Sequence, residues 1–142
     1  MTAAVVPVNG ARDLRRFRDA PRELHGTHPA FVPPLRPAFA AQFDRRRNPF
    51  WRHAESREWL AREGGRVVGR IGACVDRDLL AAAPGTGAVG FFDSIDDMGT
   101  ARALFDAAAQ WLRDRGCIRA RGPLHYTIHD PAALLVDGFD TP

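Results

Sequence analysis

Lysine is missing from this 142-residue chain: all 20 of its basic residues are arginine. With 17 acidic residues the net charge is only +3. An absent lysine beside abundant alanine reads as the codon bias of a GC-rich genome, so the kind of charge says little about partners. Cysteine is scarce too. Cys74 and Cys117 are the only two, neither stands in a CxxC pair, and both lie in apolar runs where buried thiols are common. That argues against a disulfide framework. No apolar run approaches the roughly 20 residues a membrane-spanning helix needs, and Met1 to Asn9 has neither a basic start nor an apolar stretch of secretory length. The expectations are a soluble chain, a cytoplasmic location and no membrane partner.

What is present is ordinary for one globular domain. The chain is 45% hydrophobic and 26% charged, long enough to bury a core and too short to suggest two. The densest basic stretch, Arg36, Arg45, Arg46, Arg47, Arg52 and Arg57, is opposed only by Asp44 and Glu55. It reads as a solvated face rather than a phosphate or nucleic-acid patch.

Ala4 to Val8 is a β-branched run, and Asn9 offers a cap for a helix carrying Leu14 and Phe17 on one face. Pro21 is expected to break or restart that helix, leaving at most one further turn. Four prolines between His28 and Pro37 predict an irregular crossing, followed by a short helix over Leu35 to Phe43. The clearest local pattern is a pair of β-favouring runs, Glu58 to Arg62 and Arg66 to Val75, around Gly64-Gly65, which predicts an antiparallel hairpin. Gly69 and Gly72 inside the second run predict a bulge or a close approach by another backbone or a ligand. Ala88 to Asp93 predicts a strand. Asp96 and Asp97 then precede a helix with Ala101, Leu104, Phe105, Ala108, Trp111 and Leu112 on one face, ended by Gly116 before a strand at Cys117 to Ala120. The order is strand, helix, hairpin, strand, helix, strand.

The hairpin Trp59-Leu60-Ala61-Arg62-Glu63-Gly64-Gly65-Arg66-Val67-Val68-Gly69-Arg70, followed by a strand and an amphipathic helix, resembles the centre of GNAT-superfamily acyltransferases. His28-Pro29, Phe31 to Leu35, Asn48-Pro49-Phe50, His53-Ala54-Glu55, Gly90-Phe91-Phe92, Gly122-Pro123 and Leu134 to Asp140 resemble longer bacterial GNAT-like proteins. The resemblance implies an α/β (α+β) fold with a mixed, mainly antiparallel central sheet flanked by helices, incomplete at the C-terminus. It also implies transfer of an acyl group from acyl-CoA or acetyl-CoA to a small-molecule amine, and a missing C-terminal domain as partner.

Such a domain holds the coenzyme A diphosphate on backbone N–H groups at a helix start. The corresponding segment here, Asp93 to Ala101, keeps Gly99 but opens with no basic residue and carries Asp93, Asp96 and Asp97, which read as caps and would repel a diphosphate. Phe91, Phe92, Gly99 and Thr100 are the candidate cofactor-binding positions. In the polar loop after the last strand, His125 or His129 is suited to act as a general base toward an amine and Tyr126 to protonate a thiolate. A structural role for these histidines is the blander reading. No metal site is expected, because His25 with His28 and His125 with His129 lack a third ligand. Phe50, Trp51 and His53 are read as a plug at one end of the core before a cleft lining. Two functions remain open, an N-acyltransferase domain and a non-catalytic half that shapes a partner's cleft, with nucleic-acid binding a distant third. Leu134, Leu135, Val136 and Phe139 are expected to be under-buried and to promote self-association.

Overall fold

The computed structural model describes residues 3–127, 129–130, 133–134, 136–138 and 140. Five strands, β1 (Ala4–Pro7), β2 (Ala54–Glu63), β3 (Arg66–Asp76), β4 (Thr86–Ser94) and β5 (Arg119–Arg121), form one sheet whose spatial order is the chain order. The first three pairings are antiparallel and β4–β5 is parallel. The sheet is therefore mixed and mainly antiparallel, as the resemblance implied. Gly64 and Gly65 make the β2–β3 turn at φ 54° and 83°, the left-handed pair that a two-residue hairpin requires.

Helices cover both faces. α1 (Gly10–His25) and α2 (Arg36–Gln42) lie over one, where Phe17, Phe43, Leu60, Cys74 and Phe91 pack together. On the other face the helix Met98–Arg113 sets Leu104, Ala108 and Leu112 against Ala61, Ile71, Ala73 and Val75. A six-residue helix, α3 (Arg77–Ala82), which sequence reasoning did not anticipate, joins β3 to β4, so the Met98–Arg113 helix is α4. The signal for α3 was Asp76, whose Oδ1 accepts from the Asp78 N–H at 2.9 Å as a helix cap. Cys74 is buried, and that burial, reinforced by the charges of Asp76 and Glu58, pushes its thiol up to about 12. Among the described residues no helix is long and apolar enough to cross a membrane.

Both glycines inside β3 mark irregular register. The β2–β3 pairing shifts beside Gly69, and the β3–β4 pairing shifts between Arg70 and Gly72. A methyl group at Gly69 would lie 2.8 Å from Leu104 Cδ1 and 3.0 Å from the Asp93 carbonyl oxygen. Close approach by another element explains the missing side chain. Opposite the second shift, Phe91 holds φ 54°, an uncommon backbone state for an aromatic residue, and its ring is buried.

Pro21 neither breaks nor restarts α1, which continues from Gly10 to His25. Proline at this position removes the amide that would bond the carbonyl four residues back, that of Phe17. The orphaned Phe17 oxygen accepts instead from Arg70 Nη1 at 2.8 Å. Arg70 reaches it from β3, almost wholly buried, with Nε donating to Asp93 Oδ2 at 2.7 Å. Asp93 Oδ1 in turn lies 3.0 Å from His25 Nε2 in the last turn of α1. Burial pulls the Arg70 pKa below the ordinary arginine value, and Asp93 opposes that pull.

In the C-terminal segment Leu134 is 49% and Val136 81% exposed, in line with the expected under-burial; Leu135 and Phe139 lie outside the described residues.

Replacing Arg70 by methionine should destabilise the fold by about 3–5 kcal/mol, because the Asp93 carboxylate and the Phe17 carbonyl lose their partner together. Urea denaturation measures this, and a change under about 1 kcal/mol, the worth of an ordinary hydrogen bond, would mean that water reaches the site.

Candidate functional site

Along β2, alternation sends Trp59 and Ala61 toward α4 and Glu58 and Leu60 toward α1. Glu58 is thereby a carboxylate carried into the α1 face, only 6% exposed. Its Oε1 accepts from Tyr126 Oη at 2.6 Å and from Ser56 Oγ, while Arg45 Nη2 donates to Ser56 Oγ at 2.8 Å and stands 3.9 Å from Oε1. Arg45 also lies over the Trp51 ring at 4.1 Å. Tyr126 arrives from the loop after β5 and is packed edge-on against Trp51 and Phe43. Burial first, and then the Glu58 charge, raise its pKa well above the ordinary tyrosine value, so the phenol keeps its proton and donates it in the hydrogen bond to Glu58.

Glu58, Ser56, Arg45 and Trp51 form one side of a cavity of about 230 Å³ whose apolar wall is Val8, Leu14 and Phe43. Phe50 and Trp51 divide the role expected of them. Phe50 is 7% exposed and belongs to the core, whereas Trp51 is half-buried, donates from Nε1 to the Gln42 carbonyl at 3.0 Å and faces the cavity.

The other candidates are not all brought together. His125 stacks on the Phe91 ring at 4.1 Å, and its Nδ1 accepts from the Phe91 N–H at 3.3 Å. Burial, and next the charge of Arg70, lower its pKa below the ordinary histidine value. His125 is thus neutral near pH 7 with its proton on Nε2, and its basic nitrogen is already engaged. His129 is exposed and donates its backbone N–H to Thr127 Oγ1. Phe91 is inside the core, and Phe92 packs on Phe105 at 4.7 Å on the α4 side of the sheet.

At the start of α4 the cap is Asp97. Its Oδ2 accepts from the Thr100 N–H at 2.6 Å and from Thr100 Oγ1 at 2.7 Å. These hydrogen bonds, the Thr100 hydroxyl first, lower the Asp97 pKa. Thr100 is 2% exposed. The Thr100 N–H, one of the groups that an incoming diphosphate would use, is held by a carboxylate of the chain itself. With that donor taken and the Asp97 charge beside it, the donor set at this helix start does not fit the phosphates of coenzyme A.

Histidine and carboxylates also meet where His53, Asp76 and Asp78 bring ligand-type atoms within 4.8 Å of one another. Their own hydrogen bonds account for the grouping, since His53 Nδ1 lies 2.8 Å from Asp76 Oδ1, the oxygen that caps α3. His25 is committed to Asp93. Sequence reasoning missed Glu58, which it read only as the start of a strand, and Ser56, which it did not single out. The available signal was alternation: Glu58 shares its face with Leu60, so its carboxylate had to be buried.

A mixed sheet with a β2–β3 hairpin, an amphipathic helix after β4 and a parallel β5 is the framework of an acyltransferase of the acetyltransferase type. The chain belongs to the acetyltransferase (GNAT) family, whose family model matches residues 22–124. It is similar to a bacterial ceramide synthase of Caulobacter vibrioides, at 40% identity over 141 residues, 98% of this chain and 37% of that protein. It is also similar to protein YghO of Escherichia coli, at 36% identity over 135 residues, 92% of this chain and 33% of that one. The chain thus spans about a third of the length of these relatives. An acetyltransferase of Pyrococcus furiosus shares the fold at a TM-score of 0.56 and 14% identity, over 96% of this chain and 98% of that one. A tandem GNAT protein of clavulanic acid biosynthesis does so at 0.56 and 22%, over 81% of this chain and 34% of that one.

The occupied α4 start leads to an expected result in solution. Acetyl-CoA should bind this chain with a dissociation constant far weaker than about 1 μM, and changing Asp96 and Asp97 together to asparagine should tighten it roughly tenfold by removing two like charges while keeping a capping oxygen. Calorimetry decides, and micromolar binding by the unaltered chain would show that the diphosphate is held somewhere else on it.

Proposed function

We propose that this chain supplies the acceptor side of an N-acyltransferase, taking the amine that receives an acyl group from acyl-CoA. Support comes from Glu58, a carboxylate buried at the wall of a cavity that Val8, Leu14, Phe43 and Trp51 line together with Ser56, Arg45 and Arg57; the two guanidinium groups already have acceptors in Ser56 and Asn9. Both short hydrogen bonds converge on Oε1, which leaves Oε2 as the atom to meet a ligand's ammonium and to accept its proton as the nitrogen becomes nucleophilic. Tyr126 and Ser56 hold the carboxylate in place, and Leu14 and Trp51 line the path of an apolar stem. In this arrangement Tyr126 positions Glu58 rather than protonating a thiolate. Acyl-CoA supplies the activated acyl group, and its phosphates are not provided for at the start of α4.

The acceptor class is suggested by the name of one relative. A ceramide is an amide of a long-chain amino alcohol, so amines of that class are the first to try. A second reading is favoured by the occupied α4 start: the chain is then a non-catalytic half that shapes the cleft of a second domain or partner. The two differ in what Glu58 does.

The test is thiol release from acyl-CoA in the presence of short amines and long-chain amino alcohols. It is run on this chain and on a chimera in which the chain replaces the matching segment of the Caulobacter vibrioides relative. Glu58→Gln in the chimera should lower turnover about a hundredfold or more, the range for loss of a general base. Tyr126→Phe should lower it about tenfold, as expected for one lost hydrogen bond to a charged group. An active chimera indifferent to Glu58→Gln would leave the chain the shaping role alone.

A further inference from the structure

Arg15, Arg18 and Arg22 follow one another along α1 at spacings of three and four, which puts them on one face of the helix. Across from them, Arg36 begins α2. These four arginines stand around a cavity of about 200 Å³ whose floor includes Pro21 and Phe39, with Asp19 as the single carboxylate in its lining. Among the described residues none of the four guanidinium groups has a hydrogen-bond or ion-pair partner. Elsewhere Arg45, Arg57, Arg62, Arg70 and Arg115 are each bonded to a side-chain oxygen. Arg22, in the last turn of α1, has a local reason to be basic in the negative end of the helix dipole. Arg15 and Arg18 have no such reason.

We propose that this cavity between α1 and α2 binds the phosphate or diphosphate group of a ligand. Four like charges around one concavity repel one another while it is empty, and an entering polyanion relieves that repulsion. Guanidinium groups present flat, forked donors that match phosphate oxygens in pairs. A phosphate can bridge donors from two helices, whereas a single carboxylate has fewer oxygens to share among four arginines. The apolar floor at Phe39 and Pro21 gives the organic part of the ligand a surface to lie on. The site is separate from the Glu58 cavity, with which it shares no lining residue, and it stands whether or not Glu58 serves an acceptor.

Calorimetry with inorganic pyrophosphate, at an ionic strength of about 0.1 M so that weak surface attraction is screened, tests it. We expect saturable binding at one site, weakened at least tenfold in Arg18→Ala/Arg22→Ala and unchanged in Arg102→Ala/Arg113→Ala. The second variant removes the same charge from the exposed side of α4, and circular dichroism checks that both are folded. Co-sedimentation with phosphatidylcholine vesicles, with and without phosphatidic acid, separates the two sources of phosphate. Retention on phosphatidic acid that is lost in the α1 variant assigns a lipid headgroup, and pyrophosphate binding without retention assigns a soluble ligand; either sustains the site. No binding in either arm, or equal weakening in the two variants, would overturn it.

Discussion

A guanidinium group sits where a core residue would be expected. Arg70 points from the middle strand of the sheet into the face covered by α1, and a buried charge there is tolerable only with a counter-charge and acceptors for its protons. Asp93 on β4 provides the charge. The Phe17 carbonyl provides a further acceptor, and it is available only because Pro21 has no amide to give it. Three separate stretches of sequence are thus committed to one side chain, and they tie α1, β3 and β4 together. The rings of Phe17, Phe39 and Phe91 stand 5.1 to 5.8 Å from the guanidinium carbon and close it off from water, adding attraction for the cation through their faces.

The same face of the sheet carries the second buried charge, Glu58, and the two differ in how they are satisfied. Arg70 is enclosed by strand, helix and aromatic rings. Glu58 is held by a tyrosine and a serine and opens onto a cavity. That contrast is the reason to read one as scaffold and the other as site. Amide N–H groups are allotted with similar economy: the one at Phe91 goes to His125, and the one at Thr100 goes to Asp97. Two of the amides near the expected cofactor positions are thus taken by the chain's own side chains.

The parts of the fold governed by local rules were legible in the sequence. The Gly64-Gly65 turn, the amphipathic α4 and its Asp97 cap each follow from residues a few positions apart. Pro21 was misjudged because its effect on the helix is local while its remedy, Arg70, comes from a different strand. Glu58 and Tyr126 are 68 residues apart, so no motif scan could join them; only the pleat of β2, which buries alternate side chains, hinted that Glu58 needed a partner. His125 had the right residue type for a base, but burial and a committed Nδ1 are properties of its surroundings rather than of its name.

The coincidence of chain order and sheet order bears on how the molecule is assembled. Each of β2 to β5 is laid against the edge left by the strand before it, so no strand has to be inserted between two already paired. The β2–β3 and β3–β4 pairings close short loops, which favours their early formation, whereas β1 joins β2 only across the long segment between Pro7 and Ala54. During synthesis the β1–β4 block can form as it emerges from the ribosome, with β5 joining it afterwards, across the α4 connection, in the only parallel pairing among the described residues. Vectorial growth of this kind confines strand addition to one edge of the sheet, while the outer side of β1 stays the other edge throughout.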